Sequence, residues 1–286
     1  MQFEKPGTVD EAVALLANGD ANTRVLAGGT DLLVQLRAGM VTPSLIIDIK
    51  GIDEMRTVTE ENGGFRIGGA VSGAELNEND AVKSAWPGVV EAFDLIGSTQ
   101  IQGRCTLAGN LCNASPAADS VPAMIAAGMT CKIVGPNGTR EAPVESIAIS
   151  PGKTSLTKGE MIVSFFLPGQ NANGGDAYLR FIPRTEMDIA VVGVGINLTL
   201  DDNGVCTAAR VVLGAVAPTA LVVADAANAL IGTKVDDAAM EKLAAAASAA
   251  CNPIDDKRGT IEFRTKVAGV IARRTAAIAL DRARSN

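Results

Sequence analysis

The sequence of 286 residues contains no histidine, and this absence excludes several kinds of chemistry. Ser-His-Asp and Cys-His catalysis, imidazole acid–base chemistry and histidine-ligated metal sites all require the missing ring. If the chain takes part in a reaction, we therefore expect a cofactor to supply the chemistry, and we name no catalytic side chain. Aromatic residues are also scarce, at 3% with one Trp and one Tyr, so we expect a core built mainly from Ala, Val, Ile and Leu.

Closely spaced cysteines are missing as well. The chain has five cysteines and no C-x-x-C pair, whereas structural zinc sites and iron–sulfur clusters use closer spacings. We therefore expect no metal site in this chain. The odd number of cysteines argues against a complete disulfide framework, and we expect a reducing compartment, the cytoplasm.

Neither a long apolar run nor an excess of basic charge is present. No apolar stretch reaches the ~18 residues that a membrane span needs, and the N-terminus shows no apolar signal core. The formal net charge is -7, from 25 Lys and Arg against 32 Asp and Glu, which argues against a nucleic-acid partner.

Capping and apolar patterns predict the elements at the start of the chain. Thr8, followed three residues later by Glu11, is typical of the N-cap of a helix. The apolar runs 23–27 and 44–49 predict buried strands. A glycine turn and a helix are expected between them.

The remaining chain predicts a change of architecture near residue 170. Before it we expect short elements, among them a helix over 88–97, a hairpin over 130–144 and a strand over 160–168. A polar, glycine-rich segment, 169–176, is typical of a linker. After it we expect a three-stranded antiparallel sheet backed by three alanine-rich helices. The expected strands are 177–183, 189–200 and 205–217, and the expected helices are 220–231, 236–250 and 261–280.

One candidate binding segment places two glycines between a buried strand and the start of a helix. Free N–H groups at such a point favour an anionic group such as a pyrophosphate, and glycine allows it to approach closely. An ordinary strand-to-helix turn is the alternative. The candidate residues are Val25, Leu26, Ala27, Gly28, Gly29, Thr30, Asp31 and Leu32.

A second candidate segment, 100–122, combines small residues with short polar side chains. Thr106, Asn110, Asn113 and Ser115 supply hydroxyl and amide groups, and Asp119 adds a carboxylate near an expected helix start. This composition suits a large polar ligand that lies along the backbone, and a capped surface loop is the alternative. Cys105 and Cys112 lack the further ligands that a metal would need.

Two other segments imitate nucleotide-binding motifs without completing them. Gly193-Val194-Gly195 lacks the third glycine and the following helix of G-x-G-x-x-G. Pro151-Gly152-Lys153-Thr154 resembles the end of a phosphate-binding P-loop, but Ile147 stands where that motif begins with glycine. We expect neither to bind a nucleotide.

Five segments, in the same order along the whole chain, resemble the FAD-binding medium subunit of the molybdenum hydroxylases. That family includes xanthine dehydrogenase and carbon monoxide dehydrogenase. The segments are F-x-x-P-x-T-V-D-E-A-V-x-L-L from residue 3, A-G-G-T-D-L-L from 27, T-L-A-G-N-L-C-N-A-S-P-A-A-D-S-V-P from 106, S-P-G-K-T-S-L from 150 and R-F-I-P-R-T-E-M-D-I-A from 180.

The resemblance implies an α+β fold. It consists of a two-subdomain FAD-binding fold of the vanillyl-alcohol oxidase type, followed by a C-terminal three-stranded antiparallel sheet with helices. The implied divisions are 1–52 and 53–172 for the two FAD-binding subdomains, and 173–286 for the C-terminal α+β domain.

The resemblance also implies roles for individual residues. Residues 25–32 would hold the FAD pyrophosphate, and Asp119 would accept hydrogen bonds from cofactor hydroxyls. Ile162 would pack near the rings, and Arg180 would stand near the isoalloxazine, where relatives commonly carry Lys. The residues implied to line the flavin and its phosphates are Thr106, Leu107, Ala108, Gly109, Asn110 and Ser115.

Four positions depart from the pattern of the family. Cys105 and Ala108 replace glycines, so the cleft must accommodate two extra Cβ atoms. Thr30 stands where carbon monoxide dehydrogenases carry His, which argues against carbon monoxide as the substrate. Arg180 can hold a negative charge but is a poor proton donor.

The implied function is that of an FAD-carrying electron-transfer subunit. It would take electrons from [2Fe-2S] clusters of a small partner subunit and pass them to an external acceptor. Molybdopterin would belong to a large partner subunit, in a dimer of heterotrimers. The alternatives are a stand-alone FAD oxidoreductase of the same fold that acts directly on a small substrate, and a non-catalytic interaction module.

Overall fold

The first part of the chain is a small parallel sheet with helices at its edges. The computed structural model describes residues 1–286 in full. The three strands lie in the order β1-β3-β2, and both neighbouring pairs are parallel. Thr8 caps α1 by accepting from the N–H of Glu11, as predicted. The elements are β1 (Gln2–Glu4), α1 (Val9–Asn18), β2 (Arg24–Leu26), α2 (Leu32–Arg37), β3 (Leu45–Asp48) and the 3-10 turns Ile49–Gly51 and Asp53–Arg56.

The second part has a five-stranded antiparallel sheet and six short helices. Its strand order is β4-β5-β10-β6-β7. β6 and β7 form the predicted hairpin, in which Gly135 pairs with Gly138. The elements are β4 (Val58–Glu61), β5 (Gly64–Gly68), α3 (Gly73–Asn77), α4 (Asp80–Ala85), α5 (Pro87–Asp94), α6 (Thr99–Gln102), α7 (Leu107–Cys112), α8 (Ser120–Ala126), β6 (Thr130–Gly135), β7 (Gly138–Pro143), the 3-10 turn Val144–Ser146, β8 (Ala148–Ser150), β9 (Lys153–Thr154) and β10 (Met161–Leu167).

The third part is an antiparallel sheet with helices packed against it. Its order is β11-β12-β13-β14, and α11 packs on β11 and β12. The three long strands confirm the predicted sheet. The elements are β11 (Gly174–Phe181), β12 (Val192–Leu200), β13 (Cys206–Gly214), β14 (Leu221–Val222), α9 (Ala224–Asn228), α10 (Asp237–Ala249) and α11 (Ile261–Ser285).

Strand β10 joins two hydrophobic clusters. Met161 and Val163 belong to a cluster with residues of the first part, such as Ile47. Ile162 and Phe165 belong to the larger cluster around the five-stranded sheet and the short helices. The register of β10 against β6 shifts between Ile162 and Ser164, a β-bulge that interrupts the simple alternation of faces, so that one strand contributes side chains to both clusters.

Glycines allow helix α8 to lie unusually close to the C-terminal sheet. A Cβ atom at Gly195 of β12 would come within 2.6 Å of the Pro122 carbonyl oxygen, and one at Gly214 within 2.8 Å of the Pro122 ring. Gly195 therefore serves close packing of α8 on the sheet. The sequence had indicated only that the Gly193-Val194-Gly195 segment does not complete a nucleotide-binding motif.

Four details add to or correct the predictions from sequence. The second candidate segment, for which no secondary structure was predicted, contains the helices α6 and α7. The expected linker ends early, because β11 already begins at Gly174. The expected helix over 220–231 is shorter, since Leu221–Val222 form a fourth, two-residue strand that pairs with β13. Asp119 stands at the N-cap of α8, but its side chain makes no cap hydrogen bond.

Candidate functional site

A cleft of about 460 Å³ lies between the first and second parts of the chain. Its volume falls in the range of small-molecule and cofactor sites. Three separate segments form its walls: 24–32 (the first wall), 105–113 (the second wall) and 152–162 (the third wall). Single residues between these segments complete the lining, namely Gln35, Val41, Ile49 and Ile96.

The first wall presents a run of backbone donors. The N–H groups of five successive residues, from Gly28 to Leu32, donate to no acceptor within the protein. Gly29 has a φ of 85°, a conformation that glycine adopts readily and other residues rarely do. Unengaged N–H groups in a glycine turn form a concave anion-binding surface, which suits a pyrophosphate.

The first and second walls touch directly at Gly28. A Cβ atom there would lie 1.6 Å from the carbonyl oxygen of Arg104. No side chain fits into that distance, so glycine is required for the two walls to meet.

Lys50 anchors the strand that leads into the first wall. Its Nζ donates to the Ala27 carbonyl oxygen at 2.9 Å and pairs with Asp48 Oδ1 at 2.5 Å. The ammonium group therefore fixes the end of β2, while the Asp48 carboxylate balances its charge.

Polar side chains of the second wall form hydrogen bonds within the protein. Thr106 caps α7 by accepting from the N–H of Gly109 at 2.9 Å. Asn110 Oδ1 accepts from the hydroxyl of Ser120 at 2.7 Å. Ala114, a residue with a side chain, has a φ of 48°, and strained backbone of this kind is common at binding sites.

One side-chain contact connects the first and second walls. Asn113 Nδ2 donates to Asp31 Oδ1 at 3.2 Å, although the two residues are far apart in the sequence. Burial raises the pKa of the Asp31 carboxyl above its ordinary value.

The third wall begins in Pro151-Gly152-Lys153-Thr154, the segment that resembles the end of a P-loop but lacks the first glycine of that motif. The N–H of Gly152 donates to the carbonyl oxygen of Ala114 at 3.0 Å, which holds the third wall against the end of the second. Glu160 lines the cleft but is paired with Arg140 at 2.7 Å. That pairing lowers the pKa of the Glu160 carboxyl to about 2.

Asp119, Tyr178 and Arg180 form a buried group that does not line the cleft in this structure. Tyr178 donates its hydroxyl hydrogen to Asp119 Oδ1 at 3.0 Å, and Arg180 Nη1 donates to Asp119 Oδ2 at 2.6 Å. Burial raises the pKa of Asp119 to about 6, against the lowering effects of Arg180 and Tyr178. The group joins the end of the second wall to β11.

The structure brings most of the predicted site residues together. The lining includes 25 and 27–32 of the first candidate segment, 106 and 108–110 of the second, and Ile162. Leu26 and Leu107 are buried on the far side of their walls, and Ser115 lines a separate hollow of about 20 Å³. Asn113 of the second candidate segment also lines the cleft. Several lining residues were not predicted: Arg24, Gln35, Val41, Ile49, Ile96, Cys105, Cys112, Gly152, Leu156, Glu160 and Met161.

Both cysteines of the second wall line the cleft as unpaired thiols. Burial raises the pKa of Cys105 to about 11 and that of Cys112 to about 12. Since the thiolate is the reactive form, these side chains act as small packing groups at neutral pH.

The cleft, its glycine turn and its free N–H groups have the features that suit a phosphate-bearing cofactor. Comparison with known families specifies that class. The family described as the FAD binding domain in molybdopterin dehydrogenase matches residues 1–170, and the CO dehydrogenase flavoprotein C-terminal domain matches residues 177–279.

Relatives match along nearly the whole chain. The carbon monoxide dehydrogenase medium chain of Afipia carboxidovorans is 30% identical over 99% of this chain and 98% of its own length. The xanthine dehydrogenase FAD-binding subunit of Escherichia coli O157:H7 is 33% identical over 76% of this chain and 74% of its own.

Solved structures agree in fold. A chain of the Cu,Mo-CO dehydrogenase in its cyanide-inactivated form superposes with a TM-score of 0.95 at 30% identity, covering 99% of this chain and 98% of its own. A chain of quinoline 2-oxidoreductase from Pseudomonas putida 86 gives 0.92 at 25% identity, with the same coverage.

The chain belongs to the family of FAD-binding medium subunits of the molybdenum hydroxylases. The resemblance and the fold class inferred from sequence are thereby confirmed. The chain is an oxidoreductase subunit and its cofactor is FAD. No helix is both long and apolar enough to span a membrane.

Proposed function

We propose that this chain takes electrons from [2Fe-2S] clusters of a small partner subunit and passes them through FAD to an external acceptor. The observation that carries the proposal is the set of free N–H groups at the cleft, in a chain that matches a carbon monoxide dehydrogenase medium chain over 99% of its length. The molybdenum cofactor would belong to a large partner subunit.

The first wall would hold the most highly charged part of the cofactor. The N–H groups from Gly28 to Leu32 can donate to pyrophosphate oxygens without rearranging, because no protein acceptor has to be released. The part of the second wall that lines the cleft at Ala108 to Asn110 would lie along the flavin, and Ile162 would pack against its rings.

Arg180 would supply a fixed positive charge to the reduced cofactor. FAD, when bound, supplies the redox chemistry that the side chains of this protein lack. The guanidinium stays charged at every accessible pH, so it stabilises negative charge without donating a proton. We assign no acid or base role to any side chain.

The partners we propose are a small [2Fe-2S] subunit and a large molybdenum-cofactor subunit, in a dimer of heterotrimers. Several relatives are named as chains or subunits of larger enzymes, which supports this assembly. Five free thiols suit the cytoplasm, where they stay reduced. We further propose that residues 1–52, 53–172 and 173–286 are three structural units.

The test uses the native complex, isolated through a tag on this chain. We expect flavin, molybdenum and iron in stoichiometric amounts. Reduction of the iron–sulfur clusters by a substoichiometric reductant should be followed by bleaching of the visible absorbance of the flavin.

The isolated chain, reconstituted with FAD, is the control. It should be yellow but should turn over no small substrate. Purification as a lone chain that oxidises a substrate directly would favour the stand-alone oxidoreductase. A complex whose clusters are reduced while its flavin stays oxidised would overturn the electron-transfer proposal.

A further inference from the structure

The only tyrosine of the chain is buried beside the second wall. Tyr178 is 2% exposed, and its hydroxyl donates to Asp119 Oδ1 at 3.0 Å. Arg180, two residues further along β11, donates to the other carboxylate oxygen at 2.6 Å. Residues two apart on a strand share a face, so one face of β11 holds both oxygens of Asp119.

The position of the tyrosine hydroxyl is determined by the neighbouring strand. Gly193 of β12 pairs in register with Arg180. A Cβ atom at Gly193 would lie 2.6 Å from the Tyr178 hydroxyl oxygen. The absence of a side chain at this position therefore provides the space in which the hydroxyl reaches Asp119.

Arg180 is almost completely buried but only partly engaged. Its side chain is 5% exposed. Nη1 donates to Asp119 Oδ2 and to the carbonyl oxygen of Asp188, at 2.6 and 3.5 Å. Nε and Nη2 donate to no acceptor within the protein. A buried guanidinium with an unengaged edge can bind an anionic group of a ligand in a fixed geometry.

We propose that Tyr178 is a positioning residue of the flavin site, which holds the Asp119 carboxylate so that Arg180 pairs with one oxygen and keeps its free edge for the cofactor. This inference rests on the proposed placement of Asp119 and Arg180 beside the flavin. Tyr178 itself touches neither the cofactor nor the reacting atoms.

Loss of the hydroxyl should affect the site through Asp119. The charged and titratable groups that face this carboxylate are Tyr178 and Arg180. Burial raises the pKa of Asp119 to about 6, and the tyrosine hydrogen bond opposes that rise. Without the hydroxyl, the pKa of Asp119 moves further upward, and its pairing with Arg180 is lost at a higher pH.

The experiment compares FAD binding by the wild type and Tyr178→Phe, using the complete chain. We expect about tenfold weaker binding at neutral pH, in line with the loss of a hydrogen bond to a charged group. The fall in affinity on acidification should begin at a higher pH in the variant. Thr275→Val is the matched control, because it also removes a buried hydroxyl, one that donates only to the Ile271 carbonyl oxygen within α11.

A double-mutant cycle separates positioning from simple packing. In an Asp119→Asn background, Tyr178→Phe should weaken FAD binding no further, and the acid transition should be absent. Additive effects of the two substitutions, or unchanged affinity and pH profile in Tyr178→Phe, would overturn the proposal. If Tyr178→Phe does not fold, the Asp119→Asn variant tests the proposal alone. An FAD affinity that still falls on acidification in Asp119→Asn would overturn the proposal.

The wild type distinguishes a failure of this inference from a failure of the proposed function. If the wild-type chain binds FAD with an affinity that does not fall on acidification, the inference about Tyr178 is contradicted and the proposed function is not. A wild-type complex whose flavin receives no electrons contradicts the proposed function, and leaves the effect of Tyr178 on FAD affinity measurable.

Discussion

At the scale of single residues, Gly28 is the point where two backbone segments of the site lie closest together. The backbone of the first wall reaches the Arg104 carbonyl oxygen so nearly that a Cβ atom would overlap it at 1.6 Å. The obstacle is backbone, which cannot rotate away as the end of a flexible side chain can. Any substitution at Gly28 must therefore separate the first and second walls.

We predict that Gly28→Ala destabilises the chain by about 1–3 kcal/mol, the usual cost of overpacking, and removes most of the bound flavin. Thermal unfolding and the flavin absorbance of the purified protein would measure both effects. Gly103→Ala is the control, since its Cβ would meet nothing closer than the Gln100 carbonyl oxygen at 3.9 Å. Full flavin content in Gly28→Ala would contradict the role given to this contact.

At the scale of elements, the placement of α8 connects the second wall to the C-terminal sheet. Asp119 immediately precedes this helix, and β12 approaches it through Gly195. A Cβ atom at Gly195 would lie 2.6 Å from the Pro122 carbonyl oxygen and 2.8 Å from the Ala123 nitrogen. The helix would have to move away from the sheet to admit it.

We predict that Gly195→Ala lowers the free energy of unfolding by about 1–3 kcal/mol and weakens FAD binding, because displacement of α8 carries Asp119 with it. Denaturant unfolding and an FAD titration would test this. Gly51→Ala serves as the control, as the nearest atom to its added Cβ is the Pro6 carbonyl oxygen at 3.7 Å. Equal free energies of unfolding and equal FAD affinities in Gly195→Ala and Gly51→Ala would show that α8 tolerates the extra methyl group.

Elements with a strong local signal were predictable from the sequence, and very short ones were not. Thr8 and Glu11 predicted α1, and the long apolar strands of the C-terminal sheet were also found. Helices α6 and α7 have only 4 and 6 residues, and β14 has 2, so none shows a periodicity. Their formation depends on tertiary contacts that short-range patterns do not contain.

The same distinction applies to the site. The first and second walls were predictable because glycines and small polar residues between a strand and a helix have a recognisable composition. Of the third wall only Ile162 was predicted, since the approach of Gly152 to Ala114 is visible only in the folded chain. The partners of Asp119 lie 59 and 61 residues away along the chain, a separation that no local pattern reports. The cofactor roles of the individual residues stay predictions.

At the scale of the whole molecule, a second buried carboxylate links the C-terminal sheet to the short helices. Asp176 Oδ2 of β11 accepts from the N–H of Val89 at 3.0 Å, while its Oδ1 is buried without a partner. Burial raises the pKa of Asp176 to about 7. Arg282 of α11 donates to the Asp176 carbonyl oxygen and pairs with Glu91 of α5, so three elements meet here.

The sign of the pH effect follows from the raised pKa of Asp176. The unfolded carboxyl ionises near pH 4, but the folded one near pH 7, so between these values the folded state binds the extra proton. This residue therefore reduces stability progressively as the pH rises. Its unfavourable contribution is greatest above the folded pKa.

We predict that Asp176→Asn becomes more stable relative to the wild type as the pH is raised from ~5.5 to ~8.5, by about 2 kcal/mol. The amide can still accept from Val89 but cannot ionise. Urea unfolding at the two pH values would measure the difference. A constant difference between the variant and the wild type would show that Asp176 does not titrate in this range.

The Asp119 group has a consequence for exchange of segments between related genes. The carboxylate lies in the part of the chain that matches one family domain, and both of its donors lie in the part that matches the other. A recombination point between residues 170 and 177 would separate them. Hybrids joined at that natural boundary would retain both domains, yet they would preserve the hydrogen bonds of the Asp119 carboxylate only if positions 119, 178 and 180 were inherited together.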